Sequence, residues 1–265
     1  MRKAILLTAM LFTGSLLFSQ DRFFARTYTS NVLPKGNFDI ELWHTSRFGH
    51  SNSYFHAMDQ RVEYEVGLGR NVQTAFYFNR YQKSTSDSTD QIKQSSEIGF
   101  SNEWKWRVTR PTSPVGIALY GEVGIKGDEL EFESKLILDK TFGKNLIAFN
   151  AIYEIEAEAE RENRRNKFEI ESSPIEFDFA YLYNFSSSIG AGIEIVNRND
   201  ISKGQWLNSV VYAGPTINYR GKQWFFIANL LPQWNNLHKT ASFPGKKVLE
   251  EHEKVEVRIL IGFSF

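Results

Sequence analysis

The chain has 265 residues, and its 31 basic and 31 acidic residues give a formal net charge of zero, so nothing in the overall charge favours a nucleic-acid partner. It contains no cysteine, which excludes disulfides and thiolate metal sites, and we expect neither a metal nor a cofactor. Aromatic residues make up 15% of the chain and the mean hydropathy is −0.38. This composition suits a membrane β-barrel, in which only the lipid-facing half of each strand must be apolar, but also a soluble β-sandwich.

The first residues of the chain have the organisation of an export signal. A short positive stretch at Arg2 and Lys3 precedes the apolar residues 4–17, which are too few to form a stable membrane-spanning helix. This pattern predicts a cleaved secretory signal peptide over residues 1–20. We expect residues 21–265 to form a single domain.

The rest of the chain is dominated by period-two alternation, which is typical of transmembrane β-strands. The clearest case is residues 96–108, where Trp104 and Trp106 share one face while Glu103 and Lys105 share the other. Similar segments predict strands at 37–48, 58–67, 72–82, 96–108, 115–125, 129–138, 146–156, 175–183, 189–197, 209–219, 223–231 and 254–265. We therefore predict an all-β fold, a transmembrane antiparallel up-and-down β-barrel of about twelve strands.

The connections between these strands alternate in character, as expected when both chain ends lie in the periplasm. Tight, even-numbered connections predict periplasmic turns, and the longer, polar ones predict external loops. The long loops are expected at 49–57, 83–94, 157–174, 198–208 and 232–251. The hairpin at Gly127-Asp128 is the one short connection on the external side.

The last strand alternates strictly and ends on an aromatic residue. Val255, Phe263 and Phe265 share a face with three further apolar residues. This resembles the C-terminal signal by which bacterial outer-membrane barrels are recognised for insertion. It identifies Phe263 and Phe265 as the assembly signal, the barrel-assembly machinery as a partner, and the bacterial outer membrane, with its lipid and lipopolysaccharide, as the location.

Several longer segments resemble one particular family. They are residues 130–154, the pair of strands around Gly214-Pro215, the following Leu231-Pro232-Gln233, and residues 33–38 ahead of the first strand. The chain resembles a largely uncharacterised family of outer-membrane barrels that carry the label of putative transporters linked to phenol and aromatic-compound degradation. The resemblance implies a barrel and transport of a small solute, and it supplies no catalytic or binding residue.

Charged residues fall on the face of each strand that points away from the apolar one. A charge that faces lipid near the bilayer midplane costs ~2–4 kcal/mol for Lys or Arg, so we expect these side chains in the lumen. The predicted lumen-lining residues are Glu63, Glu65, Glu97, Glu103, Lys105, Arg107, Glu122, Glu131, Glu133, Lys135, Glu154, Glu176, Asp178, Glu194, Glu256 and Arg258. Either they interlock and close the lumen, or they line a hydrated path whose acidic excess favours cations.

Two connections have further interpretations. Residues 232–251 either form a mobile outer loop or fold inward as a constriction. Residues 160–167 predict a charged hairpin tip, where Arg161, Arg164 and Arg165 are candidates for contact with lipopolysaccharide.

A histidine cluster leaves an enzyme open as an alternative. His44 and Ser46 are two residues apart on a strand and share its outer face, so a serine activated by histidine could attack an acyl ester. The pattern resembles the His-x-Ser-Asn-Gly of outer-membrane phospholipases, but Arg47-Phe48 replaces Asn-Gly. We expect no enzyme and assign no catalytic residue.

The sequence thus predicts an outer-membrane channel or transporter for small cationic or polar solutes. A non-conducting barrel with a structural or envelope-interaction role is the alternative, and an acyl-ester hydrolase is the third hypothesis. A soluble β-sandwich is the alternative fold.

Overall fold

A computed structural model describes residues 22–51, 53–86, 91–162 and 165–265. The predicted signal peptide, residues 1–20, lies outside the described residues, and its cleavage stays a prediction. The strands are β1 (Phe38–Phe48), β2 (Phe55–Gly69), β3 (Val72–Ser86), β4 (Ile92–Arg107), β5 (Gly116–Lys126), β6 (Glu129–Phe142), β7 (Asn145–Glu162), β8 (Arg165–Ser172), β9 (Ile175–Asn184), β10 (Ile189–Ser202), β11 (Gln205–Arg220), β12 (Trp224–Asn236) and β13 (Val255–Ser264).

All of these strands belong to one antiparallel sheet, which closes because β1 pairs with both β2 and β13. β8 and β9 both lie between β7 and β10, and they form two parts of one interrupted strand broken near Pro174. The thirteen strands therefore occupy twelve positions around the barrel. The predicted fold class is confirmed, and the β-sandwich alternative is wrong.

Side-chain exposure follows the predicted alternation. Phe78 and Ile98 are 66% and 69% exposed on the outer wall, whereas Glu103 and Lys105 are buried inside. A wall of this kind satisfies its backbone hydrogen bonds between strands and offers apolar side chains to lipid. The described part of the chain contains no helix with the length and apolar character needed to cross a membrane.

The two ends of the barrel differ in their connections. Arg70-Asn71 and Gly143-Lys144 form two-residue turns at the end where β1 begins, and the Gly127-Asp128 hairpin is confirmed at the other end. Gly127 and Gly143 have φ of +60°, the left-handed conformation that hairpin turns of this length require. Since outer-membrane barrels have short periplasmic turns, we assign the end with Arg70-Asn71 to the periplasm.

Two of the predicted long loops are wrong. Residues 157–174 continue β7 and then form β8, and residues 198–208 complete β10, make a two-residue turn and begin β11. These extensions are strand hairpins that project from the external end. They keep only a few apolar residues, such as Phe168 and Ile170 in the first and Ile201 and Trp206 in the second, so the continuous alternation used to predict strands stops before the strands do. The side chains of Arg161, Arg164 and Arg165 lie outside the described part of the structure.

The first and last strands meet where the barrel closes. Phe38 and Phe265 exchange backbone hydrogen bonds of 3.2 and 2.9 Å, and their rings stack with centroids 4.9 Å apart. Phe263 and Phe265 are 41% and 53% exposed on the outer wall. Their role as an assembly signal stays a prediction.

Candidate functional site in the barrel lumen

The residues that precede β1 lie inside the barrel. We call Arg22–Pro34 the luminal segment. Phe24 and Ala25 are completely buried, and so, within 2%, are Arg22, Thr27 and Thr29. A segment with this degree of burial ahead of the first strand was not predicted, and it changes the interpretation of the lumen.

Apolar side chains of the luminal segment pack against walls on several sides of the barrel. Phe24 contacts β7 and β9 through Leu146 and Leu182. Ala25 packs with Trp43 of β1 and with apolar residues of β12 and β13, and Tyr28 packs on β5 and β6. The segment therefore crosses the lumen rather than following one wall.

Polar side chains of the wall satisfy the backbone of the luminal segment. The Glu194 carboxylate accepts hydrogen bonds from the N–H groups of Ala25, Arg26 and Thr27 at 3.2, 2.8 and 3.0 Å. Asn150 accepts from the Tyr28 N–H at 2.7 Å and donates to the Tyr28 carbonyl at 3.0 Å. A buried backbone without such partners would be costly, so these contacts hold the segment in place.

An ion-pair network surrounds the middle of the lumen. Arg26 of the luminal segment binds Glu176 at 2.5 Å and Glu256 at 3.3 Å. Arg198 of β10 binds the same two carboxylates, at 3.0 and 2.8 Å, and also Glu253 at 2.7 Å. Two arginines thus share three carboxylates, and a charge removed from either side leaves a buried partner uncompensated.

Carboxylates also converge below this network, near the periplasmic end. Oxygen atoms of Asp39, Glu41 and Glu65, all fully buried, lie within 4.8 Å of one another. Arg22 lies 3.9 Å from Glu41 and Lys105 lies 4.0 Å from Glu65, so cations of the protein itself balance this group. The group is structural in character and anchors the start of the luminal segment.

The connection between β12 and β13 enters the lumen from the external end. We call residues 237–254 the inward loop. Val248 is fully buried against Tyr212 and Leu231, and its N–H donates to Gln233 at 2.8 Å while Gln233 donates back to its carbonyl at 3.2 Å. Residues 232–236 belong to β12, and of the inward loop Val248, His252 and Glu253 are buried while most of residues 237–247 are exposed. The burial favours the constriction over the mobile outer loop, and a narrowing of the path by this loop stays a prediction.

Four glutamates form a ladder across neighbouring strands of the opposite wall. In the strand register Glu103 faces Glu122, Glu122 faces Glu133, and Glu133 faces Glu154. Side chains at such facing positions lie ~4.5–5.5 Å apart at Cβ, and like charges there are destabilising. We call these four residues the acidic ladder.

Cavities separate the acidic ladder from the arginines. A cavity of about 130 Å³ has Glu122 and Glu133 on one side, with Arg61 and Arg258 on the other. A second cavity of about 350 Å³ adjoins Glu133, Glu154 and Arg198. An external vestibule of about 550 Å³ leads toward them and is lined by Arg47, Lys83, Glu97, Glu129 and Glu251, among others.

The structure places the predicted lumen-lining residues as follows. Glu63, Glu65, Glu103, Lys105, Glu122, Asp178, Glu194 and Glu256 are buried; Arg107, Glu131, Glu133, Lys135, Glu154, Glu176 and Arg258 are partly exposed; and Glu97 is exposed in the vestibule. Glu176, Glu194 and Glu256 bind the luminal segment. A role in solute passage stays a prediction for all of them.

Two residue groups show what sequence reasoning missed. Arg22, Phe24, Arg26 and Tyr28 alternate cations with aromatic rings directly after the predicted cleavage site, and such side chains can pair with carboxylates and rings of a barrel interior. This alternation was the sequence signal from which a buried segment ahead of β1 could have been predicted. No sequence pattern indicated that Glu194 would bind three successive backbone N–H groups.

The candidate hydrolase residues lie on the outer wall. His44 Nε2 and Ser46 Oγ are 2.9 Å apart, and Ser46 is 7% exposed. His50 and His56 instead stack on Phe55 and Phe48, with ring centroids 3.8 and 4.8 Å apart. The structure brings one histidine to the serine and leaves the other two in aromatic contacts.

The sequence profile of DUF6662, a family of unknown function, matches residues 17–265. No curated protein sequence matches the chain.

Solved structures with the same fold are outer-membrane barrels. The COG4313 outer membrane channel from Pseudomonas putida F1 superimposes with a TM-score of 0.64 at 9% identity, covering 89% of this chain and 98% of the channel. The translocator domain of the autotransporter NalP from Neisseria meningitidis has a TM-score of 0.53 at 10% identity, with 86% and 87% covered. The porin NanC has a TM-score of 0.51 at 9% identity, with 85% and 98% covered. These likenesses show the fold, and they agree with an outer-membrane location.

Proposed function

The chain belongs to DUF6662, and we propose that this member is an outer-membrane channel or transporter for small polar or cationic solutes. Two of the solved barrels that it resembles are a channel and a porin. We further propose that the luminal segment limits passage in the conformation described above. The non-conducting barrel is the alternative against which this proposal is tested.

The acidic ladder is the observation that carries the proposal. A barrel that needed only internal stability would alternate acids with bases at facing positions, because like charges in register cost stability. Here Glu103, Glu122, Glu133 and Glu154 follow one another across four strands, and the last three line internal cavities. The cavity beside Glu154 shares Arg47 and Glu253 with the external vestibule. Local rules are most often broken at functional sites. A carboxylate row beside a hydrated cavity attracts cations and the positive end of dipolar solutes.

The arginines across the cavity from the acidic ladder favour solutes that carry both a positive and a polar or negative group. Arg61 and Arg258 line the same cavity as Glu122 and Glu133, so its two sides carry opposite charge. A solute with an ammonium group and a polar or anionic end would be oriented across it. The resemblance to barrels linked to aromatic degradation makes an aromatic solute the competing substrate class, for which Tyr28 and Trp43 supply the nearby rings.

Single-channel recording tests the proposal directly. The mature protein, refolded in detergent and inserted into a planar bilayer under a salt gradient, should conduct in small steps with a cation-selective reversal potential. Glu133→Gln with Glu154→Gln should shift that potential toward zero, whereas Glu171→Gln, at the end of the external hairpin, should not. A folded but silent barrel, or an anion-selective one, would contradict the proposal. Liposome flux of a small amine against phenol separates the two substrate classes.

A second candidate function rests on the 2.9 Å contact between His44 Nε2 and Ser46 Oγ. This geometry allows the histidine to take the serine proton while the serine oxygen attacks an acyl ester. Gln60 faces His44 in the register of β1 and β2, where its amide could orient the ring.

A fluorophosphonate probe tests this second function without knowledge of the lipid. A catalytic Ser46 Oγ would displace fluoride from the probe and keep the phosphonyl group. Labelling should then disappear in Ser46→Ala and in His44→Ala but persist in Ser95→Ala, which removes an exposed serine of β4. Unlabelled protein in detergent and in vesicles would exclude the hydrolase.

A further inference from the structure

A cavity on the lipid-facing wall, outside the lumen, is comparable in size to the external vestibule. A groove of about 570 Å³ crosses β13, β1, β2, β3 and β4. The outward side chains of Leu42, Val62 and Phe78, which are 46%, 51% and 66% exposed, lie along it. Because these side chains are apolar and open to the membrane, the lower part of the groove fits a hydrocarbon chain.

One level closer to the external end, the wall of the same groove becomes polar. His44 faces Gln60 and Gln60 faces Arg80 in the strand register, so the three side chains form one row that points outward. The row directly below it is formed by Leu42, Val62 and Phe78. The groove therefore has a polar end toward the exterior and an apolar end toward the membrane centre, which is the orientation of a lipid in the outer leaflet.

Arg80 supplies an unpaired charge at the polar end. Its side chain is exposed, and it makes no ion pair with any residue in the part of the chain that the structure describes. At ~3.3 Å per residue and a strand tilt of ~40°, Arg80 lies roughly 20 Å along the barrel axis from Val72 at the periplasmic turn. The apolar band of an outer-membrane barrel is ~25 Å tall, so the Arg80 backbone lies about 5 Å below its external edge when the band is measured from the turn. The long arginine side chain spans that distance and brings the guanidinium to the outer-leaflet headgroups.

We propose that this groove is a binding site for lipid A, the phosphorylated and acylated glucosamine lipid of the outer leaflet. One acyl chain lies over Val62 between Leu42 and Phe78. A phosphate binds the Arg80 guanidinium, whose planar donors suit a phosphate, while Gln60 and His44 bind the polar part of the lipid. The site lies outside the lumen, so it is independent of the proposed channel function.

Native mass spectrometry of the delipidated, refolded barrel tests the site. Lipid A should bind the unmodified protein as a discrete one-to-one adduct, and lipid A without its phosphates should bind about tenfold more weakly. Arg80→Gln should lose about the same factor for intact lipid A. Arg110→Gln removes an exposed arginine at the periplasmic end and should bind like the unmodified protein.

A second variant tests the contribution of the groove independently of the Arg80 charge. Val62→Trp keeps Arg80 but fills the floor of the groove, and it should also abolish the discrete adduct. Heat-modifiability on gels confirms that each variant is folded. The proposal is overturned if Arg80→Gln and Arg110→Gln bind lipid A equally, or if phosphatidylglycerol competes with lipid A at equal concentration. Conductance should be unchanged in Arg80→Gln, so a silent barrel would not affect this result.

Discussion

Arg26 Nη1 lies 3.3 Å from Glu256 Oε1, which pairs a residue ahead of the first strand with one in the last strand. Arg198 binds the other oxygen of Glu256 at 2.8 Å and also binds Glu253 of the inward loop at 2.7 Å. The luminal segment and the inward loop are therefore joined through shared carboxylates. Displacement of either one leaves buried charge on the other unpaired, so we expect the two segments to be displaced together.

Deletion of residues 22–34, with the signal peptide retained, should increase single-channel conductance several-fold. The segment crosses the lumen between opposite walls, and most of its contacts are with side chains rather than with strand backbone. The β-sheet should close without it, because the β1–β13 pairing begins only at Asp39. An equal conductance in the folded deletion variant would show that the segment does not limit passage.

Glu194→Gln should loosen the luminal segment while leaving it attached. The carboxylate accepts from three backbone N–H groups, and an amide retains one acceptor oxygen, so docking should weaken by about 1–3 kcal/mol. We expect more frequent openings of unchanged size in single-channel records. Glu97→Gln, in the vestibule, removes a carboxylate that the segment does not contact and is the matched control.

A disulfide should lock the segment in place. Ala25 and Ile227 belong to the same buried cluster, and the sequence contains no cysteine, so the only thiols in Ala25→Cys with Ile227→Cys are the two introduced ones. Oxidised protein should conduct less than reduced protein, with full recovery after addition of a thiol. Each single variant should be insensitive to the thiol. Conductance that stays high in a fully crosslinked sample would mean that solutes pass without movement of the segment.

Period-two alternation was enough to predict the barrel, because each strand must present an apolar face to lipid and a polar face to the lumen. It failed beyond the membrane, in the hairpin of β7 and β8, where lipid no longer requires a continuous apolar face and only a few apolar residues such as Phe168 and Ile170 remain. The luminal segment escaped prediction for a related reason. Arg26 and Tyr28 are placed by side-chain contacts with residues more than a hundred positions away, and no local period encodes such contacts.

For the charged residues of the candidate site, too, the sequence predicts the face of the strand but not the contacts that each side chain makes. Glu103 is buried, and Glu133 and Glu154 line internal cavities, whereas a role of all three in lining a solute path stays a prediction. Their alignment into one ladder depends on the register of four strands, which alternation alone leaves undetermined. The separate roles of Glu194 as a backbone acceptor and Glu133 as a ladder member could not be distinguished from sequence, since both are acids at inward positions.

Replacing one ladder acid should stabilise the barrel even as it impairs the proposed function. Glu154 faces Glu133 directly, and Glu133 is itself bound by Lys135 at 2.8 Å, so Glu154→Gln removes a like charge and leaves that ion pair intact. We expect Glu154→Gln to unfold at a higher urea concentration than the unmodified protein, with a gain of about 1 kcal/mol. Glu176→Gln should have the opposite effect, because Glu176 binds two buried arginines. If Glu154→Gln were instead less stable, the ladder would be part of the barrel's support, and its assignment to solute passage would lose its physical basis.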